Sequence, residues 1–254
     1  MKKFVVASLL VVGVLLAGAP PAAAESTECT GVLTGTHDNV VVPTGAHCEM
    51  VDATVTGNVL VEPGASLRAT SSEISGNVEG VDSAWVCLQF GSELGGNLSV
   101  TGGNIGTTSG FDIGVEVGGN VFVTENAGLT FVDAAEVGGN LEVTENTGTL
   151  EIEHNTIGGN VSIAENSVPA AYTGGPATPA PGGCGVPTSF ILGAGGMSVF
   201  NNDASGSNME VLDNVGPGNK QVVLNTVDHL ACFGNSPPFL GGPNAANQAE
   251  GQCF

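Results

Sequence analysis

The chain is 254 residues long and strongly acidic: 25 Asp and Glu stand against four Lys and Arg, for a formal net charge of −21. So few cations exclude nucleic acid as a partner, since phosphate contacts need clustered Lys and Arg, and exclude attraction to anionic lipid for the same reason. Forty glycines with a single Trp and a single Tyr argue against a layered globule built on bulky side chains, and against an aromatic-rich sugar platform.

Residues 1–24 read as a secretory signal peptide. Lys2 and Lys3 form the positive n-region, Phe4 to Leu16 the apolar h-region, and Ala22-Ala23-Ala24 an A-x-A cleavage site. The apolar run is shorter than the roughly 18 residues a membrane span needs, and no later stretch approaches that length. The expectation is cleavage near Ala24, a mature chain that is secreted or held at the cell surface, and no transmembrane segment within it. Only Arg68 and Lys220 then remain against 25 acids, a net charge of −23. Such a balance favours solubility and cation binding.

Residues 25–50 form a lead-in, expected as an N-terminal cap. Six cysteines in an exported chain point to disulfides, and six allow 15 pairings. Cys29 and Cys48 bracket two strand-like pieces and are expected to clip the first coil. Cys232 and Cys253 bracket the closing Pro/Gly/Asn-rich segment, 232–254, in the same manner. Cys87 and Cys184 are left over, each where the period is disturbed.

Between these ends, 51–231, lies a repeat. Glu116-Val117-Gly118-Gly119-Asn120-Val121-Phe122-Val123-Thr124-Glu125-Asn126 returns from Glu136 to Asn146 and again from Thr156 to Asn166, a period of 20 residues. Each copy carries two alternating apolar pieces, such as Leu141 and Val143, then Leu150 and Ile152. Alternation puts these on one face and Glu142, Glu151 and Glu153 on the other. The Gly-Gly-Asn and Asn-Thr-Gly stretches between them suit corners, where positive φ is cheap for Gly and tolerable for Asn. A unit of 20 residues closes no core alone, but stacked units bury a continuous one. The fold expected is all-β: a single parallel β-helix, or β-solenoid, of roughly eight coils about 4.8 Å apart.

The corner asparagines form a column: Asn58, Asn77, Asn97, Asn120, Asn140 and Asn160, then Gly196 in place of Asn, then Asn219. Asn126, Asn146, Asn166, Asn202 and Asn225 form a second. Both are expected to be internal amide ladders rather than ligand contacts. The period breaks at 168–189, rich in Pro and Gly, which reads as a loop projecting from one corner.

The Gly-Asn-Val-x-Val rungs, the opening Cys29-Thr30-Gly31…Cys48 and the closing Gly218-Asn219-Lys220…Cys232…Gly251-Gln252-Cys253 resemble a group of exported bacterial β-helix repeat proteins that has no assigned activity. The rungs are also similar to those of bactofilins, which implies a polymerising right-handed β-helix and hence self-association. Bactofilins lack both the leader and this cysteine pattern.

Recognisable chemistry is scarce. There is no Gly-x-Ser-x-Gly elbow, no His-Glu-x-x-His, no Cys-x-x-Cys and no phosphate-binding glycine loop. His37, His47, His154 and His229 lack metal-ligand spacing and read as surface or capping residues. Acids recur as columns rather than as one distinctive pair of the kind glycoside hydrolysis needs. No catalytic residue and no cofactor is assigned, with one candidate exception. Stacked Glu125, Glu145 and Glu165, with adjacent turn carbonyls, are a candidate Ca²⁺ row, since Ca²⁺ takes several oxygen ligands. Glu73, Glu93, Glu116 and Glu136 form a further acidic row. The reading reached is an exported, non-enzymatic scaffold or interaction protein with a cell-surface or glycan partner. The alternative is a carbohydrate-binding or carbohydrate-cleaving β-helix, for which Trp85 and Tyr172 are the only Trp and Tyr candidates.

Overall fold

The structure is a computed structural model and describes residues 26–103, 107–111, 115–168 and 196–253. The expected signal peptide, 1–24, and Tyr172, Cys184 and the rest of the expected loop beyond Val168 lie outside the described residues. All the described regular elements are strands, and all pair in parallel. They stack as a β-solenoid of about nine turns.

The coil that begins at Asn140 illustrates how sequence dictates the fold. Leu141–Thr144 is a strand with Leu141 and Val143 buried and Glu142 and Thr144 half-exposed, the period-2 pattern of a sheet with one wet face. Glu145 turns the chain at φ 57°. After a one-residue bridge at Thr147 comes a second strand, Leu150–Glu153, and His154 turns again at φ 57°. A third strand of two residues, Thr156–Ile157, leads through Gly158-Gly159 to the next corner, Asn160. Each coil thus contributes to three sheets. We call them A (Val121–Thr124, Leu141–Thr144, Val161–Ala164), B (Gly128–Asp133, Leu150–Glu153, Gly196–Phe200) and C (Glu116–Val117, Glu136–Val137, Thr156–Ile157). The sequence pattern anticipates A and B. It misses C, because two residues cannot display an alternation.

Inside, like stacks on like. Val121, Leu141 and Val161 pair in register on sheet A, and Leu150 with Met197 on sheet B, all at or below 1 % exposure. At roughly 1.5–3 kcal/mol per buried aliphatic side chain, this column is the chief source of stability.

The Gly-Gly-Asn corner serves close approach rather than positive φ. A Cβ on Gly138 would lie 2.5 Å from the carbonyl oxygen of Gly118, and one on Gly139 would lie 2.5 Å from Asn120 Oδ1. Neither glycine has positive φ. That conformation is taken instead by Glu125, Glu145, His154 and Glu165 at other corners. Gly138→Ala is therefore expected to destabilise by about 2–3 kcal/mol, through displaced backbone. Gly45→Ala, with open space around its Cβ but φ 69°, should cost only about 1 kcal/mol. Denaturant melts of the two variants separate sterics from conformation.

The asparagine columns differ from expectation after Val168. The corner ladder runs from Asn39 through Asn58, Asn77, Asn97, Asn120, Asn140 and Asn160, each Oδ1 accepting the backbone N–H of the next. It continues to Asn208, not to Gly196 and Asn219. Those two pair with each other in sheet B, because Gly196 opens a strand of B and is not at the corner. The second column is in fact two. Asn126, Asn146, Asn166, Asn214 and Asn235 line the A–B corner, and Asn155, Asn202, Asn225 and Asn244 the B–C corner. Within a column the separations across the interruption are 48 and 47 residues.

Parallel pairing begins at Ser26–Glu28 and persists to Ala245–Gly251, so the terminal segments at 25–50 and 232–254 are themselves coils. Cys29 is bonded to Cys48 and Cys232 to Cys253, with Cα atoms 5.3 and 5.6 Å apart. Cys87 is disulfide-bonded too. Each terminal bridge closes a loop of about 20 residues, for a chain-entropy stabilisation of roughly 3 kcal/mol. Cys29→Ser/Cys48→Ser is expected to lower the unfolding free energy by that amount, measured by denaturant melts against the parent under non-reducing conditions. Among the described residues no helix is long and apolar enough to cross a membrane.

Candidate functional site

The three sheets do not treat their outward faces alike. On sheet A the outward residues are half-exposed, as Glu142 is, and on sheet C they are exposed, as Glu136 is. On sheet B, Arg68, Asp133, Phe200 and Gln221 are half-exposed, but several others are buried: Trp85, Cys87, Gln89, Phe131, Glu151, Glu153 and Ser198 are all below 9 % exposed. Alternation aims these side chains away from the core, yet water does not reach them. Burial there falls on polar groups, and a buried polar group without a partner is costly.

The register gives the layout. One outward row of sheet B runs Glu49, Arg68, Cys87, Gly110, Phe131, Glu151, Ser198, Gln221. Beside it, Asp133 pairs with Glu153 and Glu153 with Phe200. At one end Arg68 Nε donates to Gln89 Oε1 at 3.1 Å, and His47 lies 3.1 Å from Ser66 Oγ with its ring 5.2 Å from that of Trp85. At the other, His154 Nδ1 lies 3.1 Å from Asp133 Oδ1 and its ring meets Phe200 edge-on. Between them Glu151 Oε1 and Gln89 Nε2 are buried with no hydrogen-bond partner. The Glu151 carboxyl is pushed up to about 7, first by burial, then by the charges of Glu153 and Asp133.

Sequence reasoning placed Glu151 and Glu153 on the outward face, which is where they are, but gave no sign that this face is covered. It also left Lys220 without a place. Lys220 stands in register with Met197, points into the core at 2 % exposure, and donates to the backbone oxygens of Gly216 and Ser236 at 2.7 and 3.0 Å. Burial pulls its pKa below the ordinary lysine value. The signal was available, since Gly218-Asn219-Lys220-Gln221-Val222 aligns Lys220 with Met197 of Gly195-Gly196-Met197-Ser198-Val199.

Glu125, Glu145 and Glu165 form an exposed row at the A–B corner, each at φ 56–57°. The neighbouring turn carbonyls already accept hydrogen bonds along the stack: Thr144 O from Glu125 N, Ala164 O from Glu145 N, and Asn146 O from Ser167 N. Among the described residues no three His, Cys, Asp or Glu side chains converge as a metal site would require. Glu73, Glu93 and Glu116, in register, rim a shallow groove of about 260 Å³ on sheet C floored by Gly95 and Gly118. Trp85, at 5 % exposure, offers no platform to a sugar ring.

Comparisons with known protein families, with characterised proteins and with solved structures give no match to this chain.

Proposed function

We propose that the chain is an exported, non-enzymatic β-solenoid that acts as a surface or extracellular scaffold and interaction protein. The observation that carries this reading is where the polar side chains are used. Three asparagine ladders run along the stack and are satisfied within it, which suits a stiff rod more than a reactive cleft. Disulfides close the first and last coils, as suits a protein working where thiols stay oxidised. The leader-like residues 1–24 and the resemblance of the end motifs to exported repeat proteins support the same reading.

The test is expression with the native leader, followed by fractionation, N-terminal sequencing, and assay of the mature protein on a glycan array and on polysaccharides. The expected result is a processed N-terminus near Glu25, recovery outside the cytoplasm, and no release of reducing ends. Retention in the cytoplasm with an intact leader overturns export. Polysaccharide cleavage that is lost in Glu151→Ala overturns the non-enzymatic reading in favour of a carbohydrate-cleaving β-helix.

A further inference from the structure

We propose that Asp133, Glu151 and Glu153 form a proton-binding site that controls how firmly the strand Gly196–Phe200 is seated on the strand Leu150–Glu153. The three carboxyls share one outward face on adjacent coils. Asp133 and Glu153 are direct lateral partners, about 4.8 Å apart by strand spacing, and Glu151 is two residues along from Glu153, about 6.6 Å. Glu151 and Glu153 are 7 % and 8 % exposed, and Glu151 Oε1 meets no donor. As part of an ionised carboxylate, Glu151 Oε1 has neither water nor N–H to accept from, and that carboxylate faces two like charges. A proton removes the conflict.

Among the described residues no cation is placed to do so instead. The only other titratable side chain on these strands and their corner is His154, and its near nitrogen is engaged with Asp133. The strand Gly196–Phe200 carries no charge, nor does Thr107–Phe111. Lys220, one coil beyond, points inward. The stretch 169–195, which lies between the two strands in sequence, contains no Asp, Glu, Lys, Arg or His; its titratable side chains are Tyr172 and Cys184. The Glu151 carboxyl, raised to about 7 chiefly by burial, therefore changes state in the neutral range.

The seam is suited to such control. In sequence the strand Gly196–Phe200 is separated from Val168, the last residue described before it, by the whole stretch 169–195, whereas the strand Leu150–Glu153 follows its predecessor Leu141–Thr144 after a short corner. The strand Gly196–Phe200 is held by lateral pairing, by buried Met197 and Val199, and by the Asn155–Asn202 bond. Local opening should be easiest there. Because the folded-state pKa lies above the unfolded value of 4.5, the folded chain keeps a proton that the open chain releases. The stabilisation is complete below 4.5 and is lost as pH rises through about 7.

Hydrogen exchange of the peptide covering 196–200, corrected for intrinsic base catalysis, reads the effect directly. Between pH 5 and pH 8 the wild type is expected to lose protection there by roughly tenfold to a few hundredfold, while Glu151→Gln, a neutral isostere, holds its protection nearly constant. The same loss in Glu151→Gln as in the wild type overturns the proposal, as does a wild type with no pH dependence. Should Glu151→Gln fail to fold, Asp133→Asn removes one neighbouring charge and is expected to move the wild-type transition to higher protection at pH 8. An unmoved transition in that variant also overturns the proposal.

Discussion

Leu150→Asp is expected to abolish the folded state under ordinary conditions. Leu150 is fully buried, with Thr130 and Met197 as its register partners, themselves no more than 2 % exposed. The substitution removes a buried aliphatic side chain, worth about 2–5 kcal/mol by the large-to-small precedent. It also places a carboxylate in the apolar core with no cation in register beside it, at a further cost of several kcal/mol. The sum rivals the whole stability of a typical domain. Far-UV circular dichroism should show loss of the β signal, while Leu150→Met, close in volume, should stay folded within about 1.5 kcal/mol of the parent.

The second large effect distinguishes two asparagines that look alike in the repeat. Asn146 is 1 % exposed; its Oδ1 accepts from the backbone N–H of Asn126 at 2.9 Å, and its Nδ2 donates to Val123 O at 2.8 Å and to Asn166 Oδ1 at 3.0 Å. Asn146→Ala orphans a buried donor and a buried acceptor at once, for an expected loss of about 3–5 kcal/mol. Asn140 makes a similar pair of bonds in the corner ladder, accepting from Asn160 N at 2.8 Å and donating to Asn120 Oδ1 at 3.2 Å, but it does so in water. Solvent replaces what Asn140→Ala removes, so about 1 kcal/mol is expected. Equal urea midpoints for the two variants would show that burial is not what gives the inner ladder its weight.

These examples also mark how far the residues alone could lead. The 20-residue period and the alternation of Leu141, Val143, Leu150 and Ile152 are enough for the solenoid and for two of its sheets. The third sheet rests on pairs such as Glu136–Val137, below the length at which a pattern exists. Asn202 looked like the successor of Asn166 because it is the next asparagine of the right kind. Asn208-Met209-Glu210-Val211-Leu212-Asp213-Asn214 repeats the spacing of Asn140-Leu141-Glu142-Val143-Thr144-Glu145-Asn146 and was the better guide. The candidate site was half legible. Strand parity aims Glu151 and Glu153 outward, but whether an outward residue meets water depends on what else covers that face, and periodicity carries no record of that.

The uniform separation of Asn120, Asn140 and Asn160 has a consequence for how such a chain can change over generations. Tandem duplication of 20 residues in that region restores all three strand registers together with the amide columns of Asn120–Asn160 and Asn126–Asn166. Length can therefore be inherited in whole steps of about 4.8 Å, much as a stack grows by one tile. A gain or loss of a single residue within a strand instead inverts every side chain beyond it. Extra residues are accommodated where the pairing turns a corner, as the 47-residue separation of Asn155 and Asn202, still joined by a 2.8 Å hydrogen bond, records.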